Sequence, residues 1–100
     1  MDKRITLYTS TGTSRYQNVI FNAVAATTST AINSSRVLIT IGGTAATTVV
    51  YLAFGTAPTA STAGFVIPSN IPLEFNFNSG DKVSILASAG SGVISIVPLV

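Results

Sequence analysis

The sequence contains no cysteine and no histidine among its 100 residues. Without cysteine, neither a disulfide framework nor a thiolate metal site can form. Without histidine, the commonest general base and metal ligand of proteins is missing. These two absences exclude most of the familiar catalytic and metal-binding arrangements, and they favour a structural or binding role.

Charge is also scarce, because charged residues make up 8% of the chain and about 25% of an ordinary globular domain. Hydrophobic residues account for 47%. A chain that is apolar and sparsely charged predicts a surface that other molecules cover, since a soluble monomer normally carries scattered charge. The net charge of +2 is the balance of five basic and three acidic residues. The basic residues do not cluster beyond the pair Lys3 and Arg4, so they do not form the basic stripe that nucleic-acid binding needs.

Long hydrophobic runs are missing as well. The longest, around "VVYLAF", is far shorter than the roughly 20 residues of a membrane-spanning helix. The start "MDKRITLYTSTG" has basic residues but no apolar run after them, so it does not resemble a signal peptide. We therefore expect a protein that is made in the cytoplasm and has no membrane partner.

The acidic residues offer no paired carboxylates for catalysis. Glu74 is predicted to point outward from a strand, and Asp81 lies in a predicted turn, where aspartate commonly accepts backbone hydrogen bonds. A hydrolytic pair would need two facing carboxylates. We predict that the protein is not an enzyme and has no catalytic, cofactor or metal site.

The chain is rich in Thr, Val, Ile and Ser, which favour strands over helices. Turn signals every eight to twelve residues are typical of an all-β, single-domain antiparallel β-sandwich or jelly-roll-like fold with seven to eight strands. We expect an N-terminal arm at residues 1–14 and the sandwich at residues 15–100. The predicted strands are Arg4–Tyr8 (a strand or part of the arm), Tyr16–Thr28 (a long strand, bulged near Asn22), Arg36–Ile41 (with Val37, Ile39 and Ile41 on one face), Thr47–Phe54 (apolar on both faces, so central or at an interface), Phe65–Ile67 (stopped by Pro68), Leu73–Asn78, Lys82–Ala87 and Val93–Val97.

The last third of the chain gives the sharpest local predictions. Leu73–Asn78 alternates apolar and polar residues, and the turn "NSGD" should connect it to Lys82–Ala87 as a hairpin. The end "VISIVPLV" is almost wholly apolar. Pro98 has no N–H for a sheet ladder, so Leu99 and Val100 are predicted to leave the sheet and contact a neighbouring subunit.

Candidate interface residues follow from the same reasoning. The arm would be anchored by tyrosines, and the two arginines could form ion pairs with a partner, a frequent use of guanidinium groups at interfaces. Tyr51 is expected in the core or at an interface. The candidates are Tyr8, Arg15, Tyr16, Arg36, Tyr51, Leu99 and Val100.

The second half of the chain, from Tyr51 to Ile96, resembles a pattern in small virion proteins of tailed bacteriophages. The pattern consists of an aromatic "Y-x-A-F-G" strand, a "P-T-A" loop, an "IP" stop, an aromatic strand, "GDK(V/I)" and a closing strand. These elements stand here at Tyr51–Gly55, Pro58–Ala60, Ile67–Pro68, Phe75–Phe77, Gly80–Val83 and Val93–Ile96.

The resemblance implies a capsid cement, or decoration, protein on the virion surface. Its partner would be the major capsid protein, and it would be a homo-oligomer. A trimer is favoured, but the sequence does not distinguish a trimer from a dimer. The resemblance implies no catalytic residue and no cofactor. Two alternatives stay open: another virion part, such as a tail or head-fibre component, and a carbohydrate-binding module built on the three tyrosines.

Overall fold

The computed structural model describes residues 16–99, and these form eight strands and no helix. The all-β prediction is therefore confirmed, whereas the predicted arm at residues 1–14 lies outside the described residues. The strands are β1 (Gln17–Asn22), β2 (Thr27–Thr28), β3 (Arg36–Gly42), β4 (Val50–Gly55), β5 (Phe65–Ile67), β6 (Leu73–Asn76), β7 (Lys82–Ala87) and β8 (Ser91–Leu99).

Two four-stranded antiparallel sheets pack face to face. Sheet A has the order β1-β8-β3-β6, and sheet B has the order β2-β7-β4-β5. The first strand pairs with the last, the second with the seventh, the third with the sixth and the fourth with the fifth. This nested pairing is that of one long hairpin rolled into two layers, which is the jelly-roll arrangement.

The core lies between the sheets and comes from strict alternation along each strand. In β3, Val37, Ile39 and Ile41 are fully buried, as the sequence predicts, because successive side chains of a strand point to opposite faces. Strand β4 is apolar on both faces and lies between β7 and β5, so it occupies a central position, one of the two alternatives predicted for it. The core cluster comprises Phe21, Ile32, Val37, Ile39, Ile41, Val50, Leu52, Ile67, Phe77, Val83, Ile85, Ala87, Ile94 and Ile96.

The prediction of one long strand over Tyr16–Thr28 is wrong. The side-chain Oδ1 of Asn22 accepts hydrogen bonds from the backbone N–H groups of Val24 and Ala25, at 2.9 and 3.2 Å. This Asx-type turn ends β1, and the chain then crosses to sheet B as β2. An asparagine inside a β-rich run is therefore the point at which the chain changes sheets.

The predicted hairpin between Leu73–Asn78 and Lys82–Ala87 is also wrong, although its turn is confirmed. Gly80 has φ of +94°, a conformation that glycine adopts without a Cβ penalty. The turn leads from sheet A to sheet B, because β6 pairs with β3 and β7 pairs with β4 and β2. A turn signal predicts a chain reversal but not the sheet that the next strand joins.

The end of the described chain differs from its prediction too. Leu99 does not leave the sheet, because β8 continues to Leu99, which lies opposite Arg36 on β3. The β1 ladder stops at the pair Gln17–Ile96, so beyond Ile96 only one side of β8 has a partner among residues 16–99. A proline nitrogen is tolerated at such a half-paired position. Val100 lies outside the described residues.

A buried hydroxyl holds the loop of residues 56–64 against sheet B. Ser84 is fully buried, and its Oγ accepts a hydrogen bond from the backbone N–H of Ala60, itself 4% exposed, at 2.9 Å. Buried polar groups without a partner cost more than exposed ones, because water cannot replace the lost bond. The Ser84 hydroxyl therefore fixes where the loop crosses the sheet.

Replacing Ser84 with alanine should lower the free energy of unfolding by about 1–3 kcal/mol, because the N–H of Ala60 is left buried and unpaired. Ser88→Ala is the matched control. The Oγ of Ser88 also accepts a hydrogen bond from a backbone N–H, that of Val49 at 2.9 Å, but Ser88 is exposed. Water can therefore replace the lost bond, and the free energy of unfolding should change by no more than about 0.5 kcal/mol. Urea unfolding measures both. Equal losses would contradict the role assigned to Ser84.

Candidate interaction surfaces

An apolar row crosses the outer face of sheet B. Tyr51 on β4 lies opposite Val66 on β5 and opposite Leu86 on β7, and residues directly opposite each other point to the same face. Val66 is 53% exposed, and the other two are half-buried. We call these three residues the sheet B row. It carries no charge, so it suits contact with an apolar partner surface.

The neighbouring part of the same face is already covered. The next row pairs Ala53 with Ser84, and the loop of residues 56–64 lies over it through the hydrogen bond from Ala60 to Ser84. The protein thus covers one end of this face with its own loop and leaves the sheet B row accessible.

The outer face of sheet A carries a second apolar region. Ile20 on β1 lies opposite Val93 on β8, and the two side chains are 74% and 38% exposed. The adjacent row is polar, since Ser95 Oγ donates a hydrogen bond to Asn18 Oδ1 at 2.8 Å. Exposed aliphatic side chains beside uncharged polar ones are typical of surfaces that other proteins cover.

Four phenylalanines close the gap between the two sheets on the side of β5 and β6. Phe54 makes edge-to-face contacts with Phe75 and Phe77, with ring centroids 5.3 and 5.4 Å apart, and Phe65 makes another with Phe75 at 5.8 Å. We call these four residues the aromatic edge. Phe65 remains 52% exposed, so this edge is an apolar surface as well as part of the packing.

A cleft of about 270 Å³ lies beside the aromatic edge. It is lined by Phe54, Asn76, Phe77, Asn78 and Asp81. Amide and carboxylate groups around aromatic rings could contact a sugar, but Phe77 is 8% exposed and Phe54 packs against two other rings. The cleft therefore lacks a flat aromatic platform for stacking, and we do not propose carbohydrate binding.

Residues 16–99 contain four charged side chains: Arg36, Glu74, Asp81 and Lys82. Arg36 Nε and Nη2 lie 2.7 and 2.5 Å from Glu74 Oε2, and both side chains are nearly half exposed. Such a surface pair contributes little stability, about 0–1 kcal/mol. It does neutralise two of the four charges, so the described surface has almost no electrostatic preference.

The predicted interface residues that the structure describes do not lie together on one surface. Tyr16, 65% exposed, lies just before β1, and Arg36 is engaged by Glu74 on sheet A. Leu99 is 6% exposed, and its carbonyl oxygen lies 2.5 Å from Ser34 Oγ. Tyr51 is on sheet B. The remaining candidates, which are Tyr8, Arg15 and Val100, lie outside the described residues.

The sequence patterns do not single out several exposed side chains as interface candidates. Ile20, Val66 and Val93 are exposed although each lies in an apolar stretch. Where a strand is apolar at both odd and even positions, the sequence does not reveal which face is open. Knowledge of the two-sheet pairing is needed to assign them.

No three acidic, histidine or cysteine side chains within residues 16–99 come together as a metal site. The same residues contain no helix that is long and apolar enough to cross a membrane. No family model, curated protein or solved structure matches this chain.

Proposed function

We propose that this chain is a structural virion protein that binds the outer surface of a phage capsid. It stabilises the joints between subunits of the major capsid protein and acts as a homo-oligomer on the virion. The observation that carries the proposal is the combination of sparse charge with exposed apolar side chains on both outer faces of the sandwich.

The exposed side chains support a protein partner. The large apolar side chains that remain exposed are Tyr16, Ile20, Val24, Phe54, Phe65, Val66, Ile71 and Val93. Scattered single exposures are ordinary, but here Ile20 lies directly opposite Val93 on sheet A, and Val66 lies directly opposite Tyr51 on sheet B. Contiguous apolar surface with few nearby charges is characteristic of interfaces.

The fold supports the same proposal by analogy, since jelly rolls occur in viral capsid proteins and in lectins. The segments that resemble phage virion proteins have structural roles in this fold. Tyr51–Gly55 is almost the whole of β4, Phe75 and Phe77 belong to the aromatic edge, and Gly80 makes the turn before β7. Such roles fit a rigid building block.

The mechanism is one of binding alone. A protein that binds the assembled shell and not its separated subunits adds its binding free energy to the cost of separating them. Each copy supplies apolar contact area, and many copies on a symmetric shell act together. The sheet B row is the surface that we assign to the capsid.

Bare capsid shells saturated with this protein should therefore rupture at a higher temperature than untreated shells. At a free concentration one hundred times Kd, each occupied site gains about 2.7 kcal/mol. Calorimetry of the shells measures the shift, and an equal mass of an unrelated small protein is the control. Saturated shells that rupture at the temperature of bare shells would show attachment without cementing.

A further inference from the structure

The four sheet edges of the sandwich are unequal. Three of the edge strands are short: β2 has two residues, β5 has three and β6 has four. Short edge strands are one way in which proteins avoid pairing with other chains. Strand β1 is the exception, because it offers six residues at the edge of sheet A.

Strand β1 lacks the usual protection of an edge strand. Its sequence "QNVIFN" has no charged residue and no proline, whereas natural edges are commonly blocked by lysine, proline or a bulge. Among residues 16–99, no strand lies beyond β1 in sheet A. Backbone N–H and C=O groups at such an edge can pair with another extended strand.

Apolar side chains flank this edge on the outer face. Ile20 on β1 is 74% exposed, and Val93, 38% exposed, continues the row onto β8. Val24, 92% exposed, follows β1, and Tyr16, 65% exposed, precedes it. A strand that pairs with β1 would thus also cover apolar side chains.

We propose that two copies of this chain pair through β1, antiparallel and related by a two-fold axis at Ile20. Opposite residues in an antiparallel pair point to the same face, so outward residues must meet outward residues across the axis. This register places Ile20 of one copy against Ile20 of the other and Asn18 against Asn22. The apolar row then runs from Val93 through both Ile20 side chains to the second Val93.

A second copy fits this edge better than a charged peptide does. β1 has no charge to attract such a peptide, whereas two uncharged strands meet without repulsion. An antiparallel strand pair is also self-complementary, as a two-fold interface requires. The proposal deepens the homo-oligomer of the proposed function, and it gives a dimer in place of the trimer that the resemblance implies.

The first test is the solution mass of the full chain by light scattering across a dilution series. We expect twice the 10.2 kDa of one chain at high concentration. Ile20→Lys should shift the mass to one chain with its circular dichroism unchanged, because this side chain is exposed. The control Ile71→Lys replaces an equally apolar side chain, 52% exposed, away from β1 and should remain dimeric.

The second test uses the absence of cysteine from the sequence. Ile20→Cys alone should form a disulfide-linked dimer on mild oxidation, because the two copies of residue 20 face each other across the axis. Val24→Cys is more exposed, but residue 24 lies away from the two-fold axis. Each residue along a strand adds roughly 3.4 Å, so the two copies of residue 24 would be too far apart to cross-link.

A single-chain mass at every concentration, a trimeric mass, or an Ile20→Lys protein that stays dimeric would overturn the proposal. If deleting residues 1–14 abolishes the dimer while the Ile20→Lys protein stays dimeric, the N-terminal segment, and not the β1 edge, holds the two copies together. None of these measurements contains capsids. The dimer can therefore be disproved while capsid binding is observed, or be observed while capsid binding is disproved.

Discussion

Replacing Gly92 with alanine is expected to lower the free energy of unfolding by about 3 kcal/mol, the upper end of the usual cost of overpacking. An added Cβ would lie 2.6 Å from Thr44 Cγ2, 2.7 Å from Phe21 Cζ and 2.8 Å from the carbonyl oxygen of Gly42. The carbonyl belongs to β3, which pairs with β8, so it cannot withdraw cheaply. The fully buried ring of Phe21 would have to move out of its place in the core instead.

Gly42→Ala is the matched control, because Gly42 lies on the neighbouring strand opposite Val93. A Cβ there meets nothing within 4 Å. Its free energy of unfolding should stay unchanged or rise by up to about 1 kcal/mol, since alanine restricts the unfolded chain. Urea unfolding of the two variants gives the comparison. A Gly92→Ala protein as stable as Gly42→Ala would show that Phe21 and Gly92 are not packed as described.

Replacing Val66 with lysine should raise the Kd for capsid shells about thirtyfold, which corresponds to ~2 kcal/mol. Val66 is the most exposed member of the sheet B row, so a buried contact there would have to desolvate an unpaired ammonium group. Folding should be retained, because the side chain already faces solvent. Co-sedimentation with bare shells over a range of concentrations measures the effect.

Ser79→Lys serves as its control, because it adds the same charge at an exposed position in the turn before β7. Binding by this variant should match that of the unaltered chain. If Val66→Lys also binds like the unaltered chain, the sheet B row does not face the capsid. If both variants bind weakly, net charge and not the row controls attachment.

Local patterns predict much of this fold. The alternation in Arg36–Ile41, the stop at Pro68 and the strand Lys82–Ala87 all appear where the sequence places them. The two ends of β8 lie outside the predicted bounds, because the length of a strand depends on its neighbouring strands as well as on its own residues. Pro98 stays in β8 because the β1 ladder has already ended.

The pairing of strands could not be predicted from local signals. Asn22 and the turn at Gly80 each send the chain from one sheet to the other, yet both resemble ordinary turn residues. The nested pairing depends on which apolar faces can be buried together, and that is a property of the whole chain. The strand pairing also decides which residues are left exposed, and for that reason local sequence patterns do not identify Ile20 and Val66 as exposed.

Attachment to the capsid is tested most directly by counting bound copies per shell. Purified protein is added to bare, mature shells in increasing amounts, and the bound copies are quantified after sedimentation. We expect binding to saturate at a fixed number of copies set by the symmetry of the shell. Folded protein that does not bind, or binds without saturating, would contradict it.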